Sequence, residues 1–207
     1  VPAHIQMEGY DIPQYVNVQY PWDGREEIEP GEIPTEFNPV ASYVKYFTIP
    51  DTMKNKPLYI SFQGAESALA VWLNGHYVGY SADSFTPSEF ELTPYVKEGE
   101  NKLAVQVFKW TAGSWCEDQD FYRFSGLYRS VYLYTVPQAH IQDLCIRTLL
   151  DREYVDAELT LALKAMGEGT VELILSDHGT EIVKKETNLE KETNLSIPVK
   201  KPHLWSA

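Results

Sequence analysis

The sequence predicts an all-β chain, a β-sandwich or jelly roll followed by a second β-domain that stops short of closure. Three observations carry this. Short segments rich in β-branched and aromatic residues alternate with period two, turn residues punctuate them at short spacings, and the first 136 residues hold no helical apolar stripe three turns long.

The first ordered segment is Gly9 to Pro21 (GYDIPQYVNVQYP), where Pro13 and Pro21 argue for a structured loop rather than a regular strand. Ser42 to Pro50 (SYVKYFTIP) reads as a strand ended by proline, and Leu58 to Phe62 (LYISF) follows after a Lys/Asn/Pro break. Ala68 to Leu73 and His76 to Tyr80 flank Asn74-Gly75, which supplies the two positive φ angles of a type I′ hairpin turn. Gly99-Glu100-Asn101 marks a turn before Lys102 to Trp110, where Leu103, Val105 and Val107 alternate with Lys102, Ala104, Gln106 and Phe108. Ser130 to Val136 repeats the pattern.

Pro137 reads as a boundary, giving domains over 1–136 and 137–207, because beyond it aromatics give way to Leu, Glu, Lys and Thr. Strands are expected over Ile141 to Leu149, Val155 to Lys164, Thr170 to Leu175 and Glu181 to Glu186, the last two joined by an Asp177-His178-Gly179 turn, with Leu195, Ile197 and Val199 on a fifth. Five strands fall short of the ~7 of an immunoglobulin-like sandwich. The 207 residues therefore read as one nearly complete sandwich and one cut off early.

Composition narrows the function. A formal charge of -13 with no basic stripe argues against nucleic acid and anionic membrane surfaces. Ordinary apolar and charged fractions, 43% and 23%, allow a sizeable core. Two cysteines, Cys116 and Cys145, are too few for a disulfide scaffold, and no signal peptide or membrane span is visible, so a cytoplasmic location is expected. Aromatic residues make up 13%, and Tyr outnumbers Phe, which suits rings with one wet end.

The segment richest in chemistry is Trp110 to Arg129 (WTAGSWCEDQDFYRFSGLYR). Glu117, Asp118 and Asp120 sit there among Trp110, Trp115, Phe121, Tyr122 and Phe124. Carboxylates accept hydrogen bonds from vicinal hydroxyls and aromatic faces cover the C–H side of a sugar ring, so the mixture suits carbohydrate. It equally suits an acidic loop neutralised by Arg123 and Arg129, the commoner arrangement. In the Gly9 to Pro21 loop, Asn17 either presents its amide to a ligand or caps its own turn. His4, His76, His140, His178 and His203 lack zinc-site spacing and read as isolated surface or turn residues.

Taken together, IQMEGYDIPQYVNVQYP at Ile5 to Pro21, SYVKYFTIP, WLNGHYVGYSADSFTPSEFELTPYV at Trp72 to Val96, GENKLAVQVFKW at Gly99 to Trp110, EDQDFYRFSGLYRSVYLY at Glu117 to Tyr134 and the closing PHLWSA resemble the amino-terminal region of family 2 glycoside hydrolases, and within them the β-galactosidases. The EDQD run favours galactosidases over glucuronidases. Ile5 departs from the pattern, which often has Trp there. The resemblance implies a jelly-roll sugar-binding domain and an immunoglobulin-like domain preceding a (β/α)₈ barrel. It implies that Asn17 and Asp120 contact a β-galactoside, and that Asp120 helps hold a sodium ion whose hardness suits oxygen ligands. The two catalytic glutamates and the magnesium ligands belong to the barrel, and a homo-oligomeric parent is implied. A barrel needs ~250 residues. The expectation is therefore a fragment without catalytic residues of its own. The alternatives are a free-standing carbohydrate-binding module and a purely structural scaffold.

Overall fold

The computed structural model, which describes residues 1–117 and 120–205 and Phe121 by its backbone alone, is all-β, with no α-helix among the described residues. Two compact units divide it, Val1–Thr135 and Val136–Ala207.

The first unit holds strands β1 (Gln14–Val16), β2 (Val40–Thr48), β3 (Leu58–Phe62), β4 (Ala68–Leu73), β5 (His76–Ser81), β6 (Ser88–Glu91), β7 (Glu100–Phe108), β8 (Phe121–Arg123) and β9 (Val131–Thr135). A four-stranded sheet runs β2-β7-β4-β5 and a three-stranded sheet β6-β3-β9, while β1 and β8 pair as a separate ribbon. All pairings are antiparallel. The two larger sheets share one core, with Leu69, Val71, Leu73, Leu103, Val105 and Val107 meeting Leu58, Ile60 and Phe62. Period two explains the choice: Leu103, Val105 and Val107 are buried while Lys102, on the other face of β7, is exposed. Each such side chain contributes roughly 1.5–3 kcal/mol by leaving water. β4, flanked by β7 and β5, is buried at five of its six residues, which is why it reads as a continuous apolar run.

The Asn74-Gly75 turn forms as expected, with φ of 54° and 87° and Leu73 facing His76 across it. A fully buried Asn101 ties this turn to the neighbouring one. Its Oδ1 accepts from Asn74 Nδ2 (2.8 Å) and from the Lys97 N–H (3.0 Å), and its Nδ2 donates to the Lys97 carbonyl (3.0 Å). Two short strands, β6 and β8, carry too few residues to show a period and escape sequence reading. The expected Gly9 to Pro21 loop contains a three-residue strand, because β8 offers it a ladder partner between its two prolines.

The second unit holds β10 (His140–Leu150), β11 (Asp156–Met166), β12 (Thr170–Asp177), β13 (Thr180–Asn188) and β14 (Glu192–Lys200), arranged as a β10-β11-β14 sheet and a β12-β13 hairpin. Pro198 is tolerated because β14 is an edge strand of its sheet. The core is smaller: buried Leu161, Ile197 and Val199 pack with partly buried Leu159, Leu173, Leu175, Val183 and Leu195. The histidines need a correction. His178 and His203, read as isolated, converge on Asp177, because the β12–β13 turn meets the segment leaving β14.

Asn101→Ala leaves the Lys97 N–H and the Asn74 amide without their shared acceptor. The expected cost is about 1–3 kcal/mol of unfolding free energy, read from urea denaturation with an unchanged slope.

Candidate functional site

Antiparallel pairing brings the two sequence candidates to the same end of one ribbon. In the β1–β8 ribbon Gln14 faces Arg123, Tyr15 faces Tyr122 and Val16 faces Phe121. Asn17 follows Val16 directly and Asp120 directly precedes its partner Phe121, so both stand at the same end of the ribbon. Tyr15 and Tyr122, a directly facing pair, present their side chains on one side of the ribbon. Tyr15, Asn17, Asp120 and Tyr122 are all exposed, whereas Val16 and Arg123 on the opposite side are buried.

Tyr15, which the sequence reading missed, holds this corner closed: its hydroxyl donates to Asp120 Oδ1, from a residue 105 positions away. That hydrogen bond and the carboxylate's charge raise the Tyr15 pKa, so the phenol stays a donor. Its two-residue spacing from Asn17 was the available signal. The Tyr15 and Tyr122 ring centroids lie 5.4 Å apart. Among the described residues the Asn17 side chain makes no hydrogen bond that would cap its own turn. Asp118 and the Phe121 ring lie outside the described residues.

Trp115 does not join this surface. Its indole N–H donates to the Glu32 carbonyl (2.7 Å), and its ring packs against Tyr20 at 4.5 Å and Trp22 at 4.9 Å. Trp22, 1% exposed, in turn meets Trp110 edge-on. These rings are framework for the loops around the ribbon.

Beneath the amino-terminal segment lies a buried polar network. Lys109, 1% exposed, follows β7 at the next inward position after Val107, so a charge falls on the core face. Its Nζ donates to Asp11 Oδ2 at 2.6 Å, and Gln6 Nε2 donates to the same oxygen at 2.8 Å. Gln6 also donates to Ser125 Oγ (2.9 Å) and accepts from the Ser125 N–H (3.0 Å). Burial works against the Asp11 charge, but the hydrogen bonds from Lys109 and Gln6 outweigh it and hold the pKa below the usual carboxylate value. Residues 3–11 are thereby fixed along residues 125–127, with Ala3 and Ile5 N–H groups bonded to the Leu127 and Ser125 carbonyls. Three residues after Asp11 the chain enters β1, and two residues before Ser125 it leaves β8.

Glu66 lies nearby, buried, with Oε2 3.8 Å from His4 Nδ1. Burial, and secondarily the charge of Glu117, pushes its pKa up to about 7 against the pull of Arg123 and Lys109.

The Asp120 carboxylate is the kind of oxygen donor that suits a hard cation. The arrangement can accept hydrogen bonds from hydroxyls at Asp120, exchange them at the Asn17 amide, and offer apolar rings beside both.

Comparison with known proteins gives a consistent picture. The model of "Glycosyl hydrolases family 2, sugar binding domain" matches residues 1–137. A β-galactosidase of Halalkalibacterium halodurans is 53% identical over all of this chain and 21% of its own length, and one of Clostridium acetobutylicum 50% identical over all of this chain and 24% of its own. The chain thus spans about a quarter or less of these relatives. Among solved structures, a β-glycosidase from Bacteroides vulgatus superposes with a TM-score of 0.62 at 28% identity, covering 92% of this chain and 24% of that one. A Bacteroides uniformis β-glucuronidase gives 0.66 at 26% identity, covering 82% and 23%.

Two outcomes test the network. Asp11→Ala strands the Lys109 charge and is expected to cost roughly 3–5 kcal/mol, most of it recovered in the Asp11→Ala, Lys109→Met double variant. For Glu66, the folded state binds more protons than the unfolded one between the ordinary glutamate value and about 7, so its contribution to stability falls as pH rises through that window. His4, lowered by burial, acts in the opposite sense. The difference between the chain and Glu66→Gln isolates the effect: denaturation from about pH 5 to about pH 8 is expected to show Glu66→Gln gaining on the order of 2 kcal/mol relative to the parent sequence.

Proposed function

This chain belongs to glycoside hydrolase family 2, its sugar-binding domain spanning residues 1–137, and on that premise we propose that it is the non-catalytic amino-terminal part of a β-galactosidase. In this reading Asn17 and Asp120 hold the terminal galactosyl unit, while bond cleavage falls to glutamates of a (β/α)₈ barrel elsewhere in the parent protein. The observation that supports the proposal is the end of the β1–β8 ribbon, where Asn17 follows Val16, Asp120 precedes Phe121, and both residues are exposed.

Each residue has a physical part. The Asp120 carboxylate accepts hydrogen bonds from sugar hydroxyls, and charge-assisted bonds of this type are stronger than neutral ones. Tyr15 occupies one oxygen of Asp120 and so fixes the carboxylate plane. Asn17 can both donate and accept, which lets it read a hydroxyl whichever way its proton points. Retaining hydrolysis needs two carboxyl groups ~5–5.5 Å apart around the glycosidic bond, a task this chain leaves to the barrel. Sodium, if bound, would take an Asp120 oxygen together with ligands from the rest of the parent and supply positive charge beside the sugar; magnesium would belong with the barrel glutamates. The free cysteines Cys116 and Cys145 suit a cytoplasmic setting.

In the parent enzyme, Asp120→Asn is expected to lower kcat/KM for a β-galactoside by about 10- to 100-fold, the worth of one hydrogen bond to a charged group, and to weaken the sodium dependence. Tyr15→Phe, which frees the carboxylate without removing it, is expected to lose less. Unchanged kinetics and salt response in Asp120→Asn would overturn the assignment. Clear galactose-induced amide shifts in the chain without a barrel would instead favour a free-standing module.

A further inference from the structure

The β12–β13 hairpin closes on a two-residue turn, His178-Gly179, with φ of 45° and 83°, and Asp177 faces Thr180 at its base. This left-handed pair is the same device as Asn74-Gly75, but with histidine in the place of asparagine. The turn tip lies against the segment that leaves β14, where Lys201 also takes a positive φ of 47° and swings His203 toward it. Asp177 Oδ1 lies 3.5 Å from His203 Nδ1 and 3.8 Å from His178 Nε2. One potential donor atom from each residue lies within 4.8 Å of the others, and the two imidazole centroids are 5.7 Å apart.

We propose that Asp177, His178 and His203 bind a divalent transition-metal ion of the zinc class. Imidazole nitrogen and carboxylate oxygen are both first-row metal donors, and two histidines with one acid form a three-ligand zinc set with a fourth position left for water. Ligands at about 2.0–2.1 Å around a tetrahedral ion stand about 3.4 Å from one another. The 3.5 Å and 3.8 Å separations already approach that spacing. The remaining closure falls on the two imidazoles, whose side chains are 86% and 72% exposed and free to rotate. A bound ion would join the hairpin of one sheet to the strand exit of the other. The hairpin otherwise meets the sheet through one small cluster, where Leu173, Leu175 and Val183 pack against three buried residues, and small cores gain most from such a link.

Calorimetric titration of the tag-free full chain with Zn²⁺, with Co²⁺ as a spectroscopic probe, tests the site. One saturable equivalent is expected, together with visible Co²⁺ bands of tetrahedral intensity and a melting temperature raised by Zn²⁺ and returned by chelator. His203→Ala and His178→Asn, the latter keeping a residue that accepts positive φ, are expected to weaken binding at least about tenfold while preserving the circular dichroism spectrum. Cys116→Ser and Cys145→Ser should bind as the parent chain does. Absence of saturable binding, or binding lost with the cysteines and kept without the histidines, would overturn the proposal.

Discussion

A buried positive charge organises the first unit. Lys109 continues the inward-facing row of Leu103, Val105 and Val107, and at 1% exposure its ammonium cannot be hydrated. Isolated charges in such surroundings are strongly unfavourable, so the fold must bring an anion to it. Asp11 comes from 98 residues earlier in the chain, and Gln6 adds to the carboxylate's partners while gripping Ser125 on both sides of its own amide. The amino-terminal segment has little apolar surface of its own to bury; Met7, Tyr10 and Ile12 are all more than two-thirds exposed. Polar satisfaction, rather than hydrophobic contact, is what keeps it in place.

The position of the ribbon follows from that anchorage. Asp11 stands just before β1 and Ser125 just after β8, so the network fixes the two strands where they must pair. Asn17 and Asp120 owe their common end of the ribbon to the pairing, and Tyr15 then orients the carboxylate. The exposed face is left to polar and aromatic groups because the opposite face, with Val16 and Arg123, takes the burial.

Local demands were readable in the sequence and non-local ones were not. The apolar row of β7, the run of β4 and the positive φ angles at Asn74-Gly75 are each set within a few residues, so their signals lie in a short window. That Asn17 and Asp120 stand at one end of the same ribbon depends on which strand pairs with β1, and spacing in the chain carries no record of that; only the family resemblance pointed to the two residues together. Lys109 did leave a trace, since period two assigns it to the core face, yet a lysine ending a strand resembles ordinary solvated punctuation. His178 and His203 were read separately because the turn and the strand exit that bring them together belong to different sheets.

The ribbon also has an implication for how its sequence can change length. Side chains in a paired strand alternate faces, so inserting or deleting one residue within Gln14–Val16 or Phe121–Arg123 would turn the exposed face toward the core and the buried face outward. The same event in an exposed connection between β1 and β8 would alter neither register nor face. Length variation in this corner is thus confined to the connections, while the two short strands are held to their residue count more tightly than to their residue types.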